Sequence, residues 1–179
     1  MEVAAVEVTV VVGNPKSRSR TREIAEAVAE FVIERIGARL APTIDLCDVS
    51  GSMFRWPDAT LENLENRLAA TDIAVVASPT YKAAYTGLLK AFLDRFGNNG
   101  LAGVTAIPVM TGAGFQHALA VETSLRPVLV ELGASVPTRG LYFEISRMDQ
   151  MSKTVERWAM DNLETCDAIV GPARVGAGR

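Results

Sequence analysis

The sequence predicts an α/β protein in which a parallel sheet carries helices on both faces. Three observations lead to this prediction. β-Branched, apolar runs alternate with amphipathic helical patterns along the chain, the first and fourth runs end in glycine-containing loops, and Asp72–Ser78 is apolar over five consecutive residues. Five strands that alternate with five helices favour parallel pairing with right-handed crossovers. The 179 residues fit one domain of the usual size, roughly 100–200 residues.

The first half of the chain is predicted to hold two strands and two helices. The first strand is a valine-rich run that ends at Gly13. In the first helix, apolar residues from Ile24 to Ile36 share one face, and Gly37 is suited to end the helix. Asp58 is a suitable N-cap for the second helix. The expected strands are 8–12 and 43–49. The first expected helix ends at residue 36, and the second covers residues 58–70 and follows an irregular segment, residues 50–57.

The second half repeats this alternation after the central strand. Leu125, Leu129 and Leu132 recur at helical spacing in a long predicted helix, and Val155 and Trp158 share a face of the last helix. The expected strands are 72–78, 104–110 and 136–145, and the expected helices are 86–96, 115–132 and 152–169. One domain is therefore expected over residues 1–172, followed by a disordered tail at residues 173–179.

The charge and the cysteines exclude several classes of protein. The net charge is −3 and the Lys and Arg residues are scattered, so neither nucleic acid nor an anionic membrane surface is expected as a partner. No apolar run approaches the roughly 18 residues of a membrane span, and the N-terminus does not resemble a signal peptide. Cys47 and Cys166 are far apart and lack CxxC spacing, which fits a reducing cytoplasm.

The segment after the first strand is predicted to bind a phosphate monoester. It lies between a buried strand and a helix, and a helix N-terminus offers unpaired N–H groups to an anion. The alternative is that Ser17 or Ser19 only caps the helix on a solvated loop. The P-loop pattern and the GxGxxG fingerprint are both absent here. The expected donors are Ser17, Ser19 and Thr21, with charge from Arg18 or Lys16.

The loops after the third and fourth strands are candidates for binding a flat ring, because ligands of such sheets bind beyond the carboxyl ends of the strands. Tyr81 and Tyr85 could flank a ring, contact a partner subunit or cap the core. Backbone N–H groups of residues 111–114 could approach carbonyl oxygens at a ring edge. The sole histidine, His117, is expected to be a polar surface or capping residue, and no metal site is expected.

Together these loops resemble those of the NADPH-dependent FMN reductase family. Gly13–Ser19 is similar to the family's phosphate loop, and Ser78–Tyr81 with Gly87–Lys90 is similar to its Pro-x-Tyr…Gly-x-Leu-Lys signature. Residues 111–129 are similar to the sulfonate-utilisation branch, whose members pass reduced FMN to a partner monooxygenase. The resemblance implies a flavodoxin-like three-layer sandwich, with a five-stranded parallel sheet in the order 2-1-3-4-5.

The resemblance also implies the residues that hold FMN. Asn14 replaces the family's usual serine, although its amide can still donate a hydrogen bond. Thr123 stands about where some two-component relatives carry an aromatic residue. A homodimer or homotetramer is implied, with residues 83–85 at an interface. The implied FMN-binding residues are Asn14, Lys16, Ser17, Arg18, Ser19 and Thr21 at the phosphate, Pro79, Thr80, Tyr81 and Lys82 at the ring and ribityl chain, and Thr111, Gly112 and Ala113 at the pyrimidine edge.

The implied reaction passes hydride from NADPH or NADH to FMN, and the cofactors supply the chemistry, so no catalytic residue is expected. Three alternatives stay open at this point. The first is a quinone, azo-dye or metal-ion reductase with tightly held FMN, and the second is an electron-carrier flavodoxin. The third is a receiver domain, which would need a phosphoacceptor Asp where Ser78 and Pro79 stand, and an acidic pair where Gly13 and Asn14 stand.

Overall fold

The computed structural model describes residues 5–173, with side chains as far as residue 162. Within this range, strands and helices alternate as the sequence predicts. The expected tail, residues 173–179, lies outside the described residues except for Ala173, which ends the last helix. The strands are β1 (Glu7–Val12), β2 (Arg39–Leu40), β3 (Ile44–Asp45), β4 (Ile73–Pro79), β5 (Thr105–Gly112) and β6 (Leu141–Glu144). The helices are α1 (Arg20–Ile36), α2 (Ala59–Ala69), α3 (Gly87–Leu93), α4 (Arg126–Glu131) and α5 (Met151–Ala173).

The strands form one parallel sheet in the order β2–β1–β4–β5–β6, and β3 also pairs with β1. Val8 to Val12 of β1 pair with Ile73 to Ala77 of β4, and all of β4 pairs with β5. Two short pieces thus stand in the place of the second predicted strand beside β1, and only β3 falls within the predicted range of residues 43–49. With that division, the predicted flavodoxin-like fold and strand order are confirmed. Parallel pairing brings the carboxyl ends of β1, β4 and β5 to the same edge of the sheet.

Alternate residues of each strand enter two separate cores, because successive side chains of a strand point to opposite faces. Val8, Val10 and Val12 pack with α1 and α5 on one face. Val11 and Val76 pack with α2, α3 and the segment that contains α4 on the other face. The central strands β4 and β5 are buried along their whole length, as the consecutive apolar residues predict.

Two expected strands are shorter than predicted. Only residues 44–45 of the segment 43–49 pair with β1, and Leu46–Ser52 form a 3₁₀ helix that still buries Leu46 completely. Burial, not strand pairing, therefore explains this apolar pattern. In the segment 136–145, the guanidinium of Arg126 donates to the carbonyls of Val136 and Thr138, both at 2.5 Å. Those carbonyls are engaged by a side chain, and the strand begins only at residue 141.

The long helix predicted over residues 115–132 is interrupted. Phe115–His117 form a 3₁₀ turn, Val121–Leu125 form a π-helical turn, and α4 follows. The hydroxyls of Thr123 and Ser124 donate to the carbonyls of Leu119 and Ala120, at 3.0 and 2.5 Å. Such side-chain bonds compete with the regular backbone pattern of a helix, and π turns occur as single-turn bulges inside helices.

Within the part of the chain that the structure describes, no helix is both long and apolar enough to cross a membrane. Cys47 carries a free thiol, and burial, together with the neighbouring Asp45 and Asp48, raises its pKa to about 12. The side chain of Cys166 lies outside the described residues. The thiol of Cys47 is therefore protonated and a poor nucleophile at neutral pH.

Candidate functional site

The loop after β1 (residues 13–19, the β1 loop) begins with a glycine that is required by close packing. A Cβ atom on Gly13 would lie 2.5 Å from the Cβ of Leu89 on α3. The amide N–H of Gly13 donates to the carbonyl of Ala77 at 2.7 Å, which keeps the loop beside β4. The side-chain oxygen of Asn14 accepts from the N–H of Lys16 at 2.9 Å and turns the chain towards α1.

The second half of the β1 loop lies at the N-terminus of α1, a helix of 17 residues. Ser19 is its N-cap, and its hydroxyl oxygen accepts from the N–H of Arg22 at 3.2 Å. Because the oxygen accepts there, its O–H group can still donate to an anion. Lys16, Ser17 and Arg18 are exposed, and Arg18 adopts a positive φ of 49°. Positive φ is uncommon outside glycine and costs free energy, and such strain clusters at functional sites.

A buried chain of polar side chains joins the β1 loop to the end of β5. The amide of Asn14 donates to the hydroxyl of Thr21 at 3.0 Å, and that hydroxyl lies 2.8 Å from the hydroxyl of Thr111. Both threonines are completely buried, and Asn14 is nearly so. These side chains therefore fix the β1 loop against the end of β5, and the hydroxyls of Thr21 and Thr111 face one another.

The loop after β4 (residues 79–86, the β4 loop) is fixed to the β1 loop at its far end. Thr86 caps α3, and its hydroxyl donates to the carbonyl of Gly13 at 2.6 Å. Within the β4 loop, Tyr81 and Ala84 exchange backbone hydrogen bonds of 2.8 and 3.2 Å around a tight turn. Lys82 and Ala83 in this turn both have positive φ, 52° and 64°. The turn leaves the Tyr81 side chain half exposed.

The loop after β5 (residues 111–114, the β5 loop) is held by Tyr142 of β6. The Tyr142 hydroxyl donates to the carbonyl of Gly114 at 2.8 Å. A Cβ on Gly112 would lie 1.9 Å from that hydroxyl, so a side chain at this position would force Tyr142 to move. Burial raises the pKa of Tyr142, and Glu144 adds to this effect while the Thr80 hydroxyl opposes it. The Tyr142 hydroxyl therefore stays protonated at neutral pH and can donate its hydrogen bond to the carbonyl of Gly114.

All three loops that the sequence selects meet at one edge of the sheet. The Thr80 N–H donates to the carbonyl of Thr111 at 2.7 Å, which joins the β4 and β5 loops. Pro79 and Gly112 are buried, and Ala113 is exposed. The predicted residues thus divide into two groups. Those with exposed side chains are Lys16, Ser17, Arg18, Tyr81, Lys82 and Ala113, and those in the supporting interior are Asn14, Ser19, Thr21, Pro79, Thr80, Thr111 and Gly112.

The sequence does not indicate the residues that support these loops. Tyr142 lies within the strand expected over residues 136–145 and Thr86 at the start of the helix expected over residues 86–96, and neither pattern predicts a contact with a loop. Their contacts join residues 28 and 73 positions apart, and no local pattern indicates them. His117 lies exposed in the 3₁₀ turn after the β5 loop. Across the residues that the structure describes, no three His, Cys, Asp or Glu side chains are grouped so that they could hold a metal ion.

Comparison with known proteins gives a consistent result. Residues 6–147 match the family described as NADPH-dependent FMN reductase. The NADH-dependent FMN reductase SfnF of Pseudomonas putida is 32% identical over 84% of this chain and 83% of its own. An oxidoreductase from Corynebacterium diphtheriae superposes with a TM-score of 0.80 at 28% identity, over 93% of this chain and 98% of its own. The apo form of the NADH:FMN oxidoreductase EMOB superposes with a TM-score of 0.74 at 28% identity, over 87% of this chain and 89% of its own.

Proposed function

The chain belongs to the NADPH-dependent FMN reductase family, and from this membership we propose that it transfers hydride from a reduced nicotinamide to FMN held by the β1, β4 and β5 loops. The observation that carries the proposal is the exposed, donor-rich end of the β1 loop at the N-terminus of α1. The buried chain from Asn14 to Thr111 supports this end from behind. As an NAD(P)H-dependent oxidoreductase, the enzyme uses FMN and a nicotinamide dinucleotide.

The donors of the β1 loop fit a phosphate monoester. The guanidinium of Arg18, the ammonium of Lys16 and the hydroxyl of Ser17 are exposed there. The first N–H groups of α1 lack partners within the helix, and the helix dipole favours an anion at this end. Side-chain carboxylates are absent from residues 13–21. We therefore assign the phosphate to Lys16, Ser17, Arg18 and Ser19, and assign Asn14 and Thr21 to supporting the loop.

The β4 and β5 loops fit the ring end of the cofactor. Tyr81 is exposed at the edge of the β4 loop, next to Lys82 and close in sequence to the buried Thr80 hydroxyl. The β5 loop offers the backbone of Gly112 and Ala113, and the missing side chain at Gly112 makes room for the Tyr142 hydroxyl that holds the loop. Strained turns persist where the surrounding structure holds them, and the two positive φ angles at Lys82 and Ala83 favour a binding role for this turn.

In this mechanism the chain's own residues bind and orient the reactants. When bound, FMN would accept at its ring the hydride that the nicotinamide supplies. Lys16 and Arg18 would hold the phosphate, and Tyr81 would pack against the ring and exclude water from one side. Tyr142 fixes the backbone at Gly114, which would meet the pyrimidine edge. No side chain is required to move a proton in hydride transfer, so we assign no catalytic acid or base.

The substitution Arg18→Ala tests the phosphate assignment. A charge-assisted hydrogen bond contributes about 1.5–3 kcal/mol, so the Kd for FMN should rise about tenfold to a hundredfold. The Kd is measured by flavin fluorescence titration, and the KM for FMN in NAD(P)H oxidation should rise with it. The matched control is Arg35→Ala, in the last turn of the same helix, which should leave both constants unchanged. An unchanged Kd in Arg18→Ala would contradict the assignment.

We also propose that FMN is exchanged and that its reduced form supplies a flavin-dependent monooxygenase. The β1 loop supports this proposal, because the side chains of Lys16, Ser17 and Arg18 are open to solvent, so that a phosphate held by them would be reachable from outside. The measurement of NAD(P)H oxidation at different FMN concentrations, described above, also tests whether FMN is exchanged. Saturation of the wild-type rate in free FMN is expected for an exchanged flavin, and a rate independent of added FMN would indicate a prosthetic group.

We further propose that the protein is cytoplasmic and forms a homodimer or homotetramer. A groove of about 490 Å³ lies between α3 and the segment that contains α4, and its lining combines Tyr85, Phe96 and Val128 with the charged Lys90, Asp94 and Glu131. Leu119 and Val130, in the same segment as α4, are 74% and 54% exposed. An apolar surface rimmed by polar residues is typical of an interaction site, and we assign this one to the contact between subunits.

A further inference from the structure

A second cleft lies beside the candidate flavin site, on the side of α5. Its volume is about 500 Å³. It is formed by the residue that follows the β5 loop, by the 3₁₀ turn after β6 and by the first two turns of α5. Of the residues that line it, only Phe115 and Arg147 fall within the family match, which ends at residue 147. The lining residues are Phe115, Arg147, Asp149, Gln150, Lys153, Thr154 and Arg157.

The cleft is rich in positive charge. Three of its seven lining residues are cationic and one, Asp149, is acidic. Lys153 and Arg157 are one helical turn apart on α5, so their side chains share a face. Both are exposed, and within the described residues neither forms an ion pair or hydrogen bond. Arg147 differs, because its Nε lies 3.2 Å from a carboxylate oxygen of Glu144. Two unpaired cations therefore remain to bind an anion.

The cleft also has an exposed aromatic wall that joins it to the flavin site. Phe115 is 52% exposed and directly follows Gly114, the residue that Tyr142 holds. Its ring centroid is 6.3 Å from that of Tyr142. The Arg147 guanidinium lies 5.1 Å from the Phe115 ring centroid. A planar base could pack here, within reach of both the cations of α5 and the β5 loop.

We propose that this cleft binds the adenosine 2′-phosphate of NADPH, so that the enzyme selects NADPH over NADH. Lys153 and Arg157 contact the 2′-phosphate, and Phe115 with Arg147 packs against the adenine. A phosphate monoester carries close to two negative charges at pH 7 and matches the two unpaired cations. The 2′-hydroxyl of NADH brings no charge to the same place. This inference rests on the proposed function and names the nucleotide that the reaction uses.

The test compares the double variant Lys153→Ala/Arg157→Ala with the control Arg39→Ala/Arg67→Ala. The control removes the same number of positive charges from β2, at the edge of the sheet opposite β6, and from the last turn of α2. With FMN saturating, we expect kcat/KM for NADPH to fall at least tenfold in the test variant. The kcat/KM for NADH should change less than twofold in the test variant. The control should match the wild type in kcat/KM for both nucleotides.

A binding measurement makes the test independent of flavin reduction. Isothermal titration calorimetry of the full chain with adenosine 2′,5′-bisphosphate, adenosine 5′-monophosphate and inorganic phosphate compares the three anions. We expect the bisphosphate to bind at least tenfold more tightly than the other two, and only to protein that retains Lys153 and Arg157. All four substituted side chains are at the surface or at a helix end, and circular dichroism confirms that each variant is folded.

The outcomes separate this inference from the proposed function. Equal losses with NADPH and NADH, no wild-type preference for NADPH, or equal binding of bisphosphate and inorganic phosphate would each overturn the cleft assignment while flavin reduction persists. If neither nucleotide reduces FMN, the proposed function fails, and the calorimetric comparison alone still decides whether the cleft recognises a 2′-phosphate.

Discussion

At the scale of single residues, the polar chain from Asn14 through Thr21 to Thr111 is the most consequential feature of the site. It is buried, and its two hydrogen bonds of 3.0 and 2.8 Å connect segments that are 90 residues apart in sequence. A buried polar group that loses its partner costs about 1–3 kcal/mol, more than the net gain from a typical hydrogen bond. The stability of the site therefore depends on side chains that a ligand need not touch.

The substitution Thr21→Val tests this dependence. Valine has nearly the same shape but leaves the Asn14 amide and the Thr111 hydroxyl without their shared partner. The free energy of unfolding should fall by about 1–3 kcal/mol, measured by urea denaturation. Thr123→Val is the control, because its hydroxyl is exposed and donates only within its own helix. Equal effects of the two substitutions would show that the buried chain has no special role.

At the scale of secondary-structure elements, Glu122 and Arg126 connect the interrupted helix to the start of β6. Glu122 forms an ion pair with Arg126 and accepts the N–H of Gly140 at 2.6 Å, while Arg126 holds the carbonyls of residues 136 and 138. The hydrogen bond from Arg126, followed by that from Gly140, lowers the pKa of Glu122 against the opposing effect of burial. These contacts position β6, which carries Tyr142.

The pKa shift predicts the acid sensitivity of this connection. A carboxyl group whose pKa is lower in the folded state stabilises the fold above its unfolded pKa, about 4.3 for glutamate. This stabilisation is lost as the pH falls through the folded pKa. Glu122→Gln should therefore be less stable at pH 7, and should lose less stability between pH 5 and pH 3 than the wild type. Urea denaturation at several pH values measures both effects.

The control for Glu122→Gln is Glu156→Gln, an exposed position on α5. Its dependence of stability on pH should match that of the wild type. If Glu122→Gln also follows the wild-type profile, the contacts of Glu122 do not contribute to the acid response.

The elements also show what sequence could and could not predict. The helix caps at Asp58 and Gly37 and the buried run of β4 follow from local patterns, and the structure confirms them. The strand expected over residues 136–145 begins only at residue 141, because the guanidinium of Arg126 binds the carbonyls of residues 136 and 138. The helix expected over residues 115–132 is interrupted where hydroxyls bind the backbone. Likewise, the positions of the three candidate loops follow from the strand ends. The supporting roles of Tyr142 and Thr86 and the basic cleft depend on contacts that form only in the fold.

At the scale of the whole molecule, the sheet separates two surfaces to which we assign different roles. The α5 side carries the basic cleft, and the side of α3 and α4 carries the groove that apolar and charged residues line together. If the groove is an interface between subunits, then nucleotide entry on the other side stays open in the assembly. The proposed functions of the two surfaces are thus compatible in one protein.

Sedimentation equilibrium tests the assignment of the groove. We expect the wild-type mass to be two or four times the 19.2 kDa of one chain. Val130→Glu should shift the mass towards one chain at micromolar concentration, because it replaces an exposed apolar side chain of the proposed interface with a charge that assembly would bury. Met160→Glu is the control, since Met160 is 64% exposed but lies on α5. A wild-type mass of 19.2 kDa would contradict the oligomer.

The hydrogen bond from Thr86 to the carbonyl of Gly13, together with the packing of Gly13 on Leu89, has a practical consequence for redesign. A mutant library intended to change flavin preference should keep positions 13, 86 and 89 constant, because a new side chain there would displace the loop before any ligand arrives. Diversity is better introduced at positions 16 to 18, where the side chains are exposed and the backbone is already fixed by its neighbours.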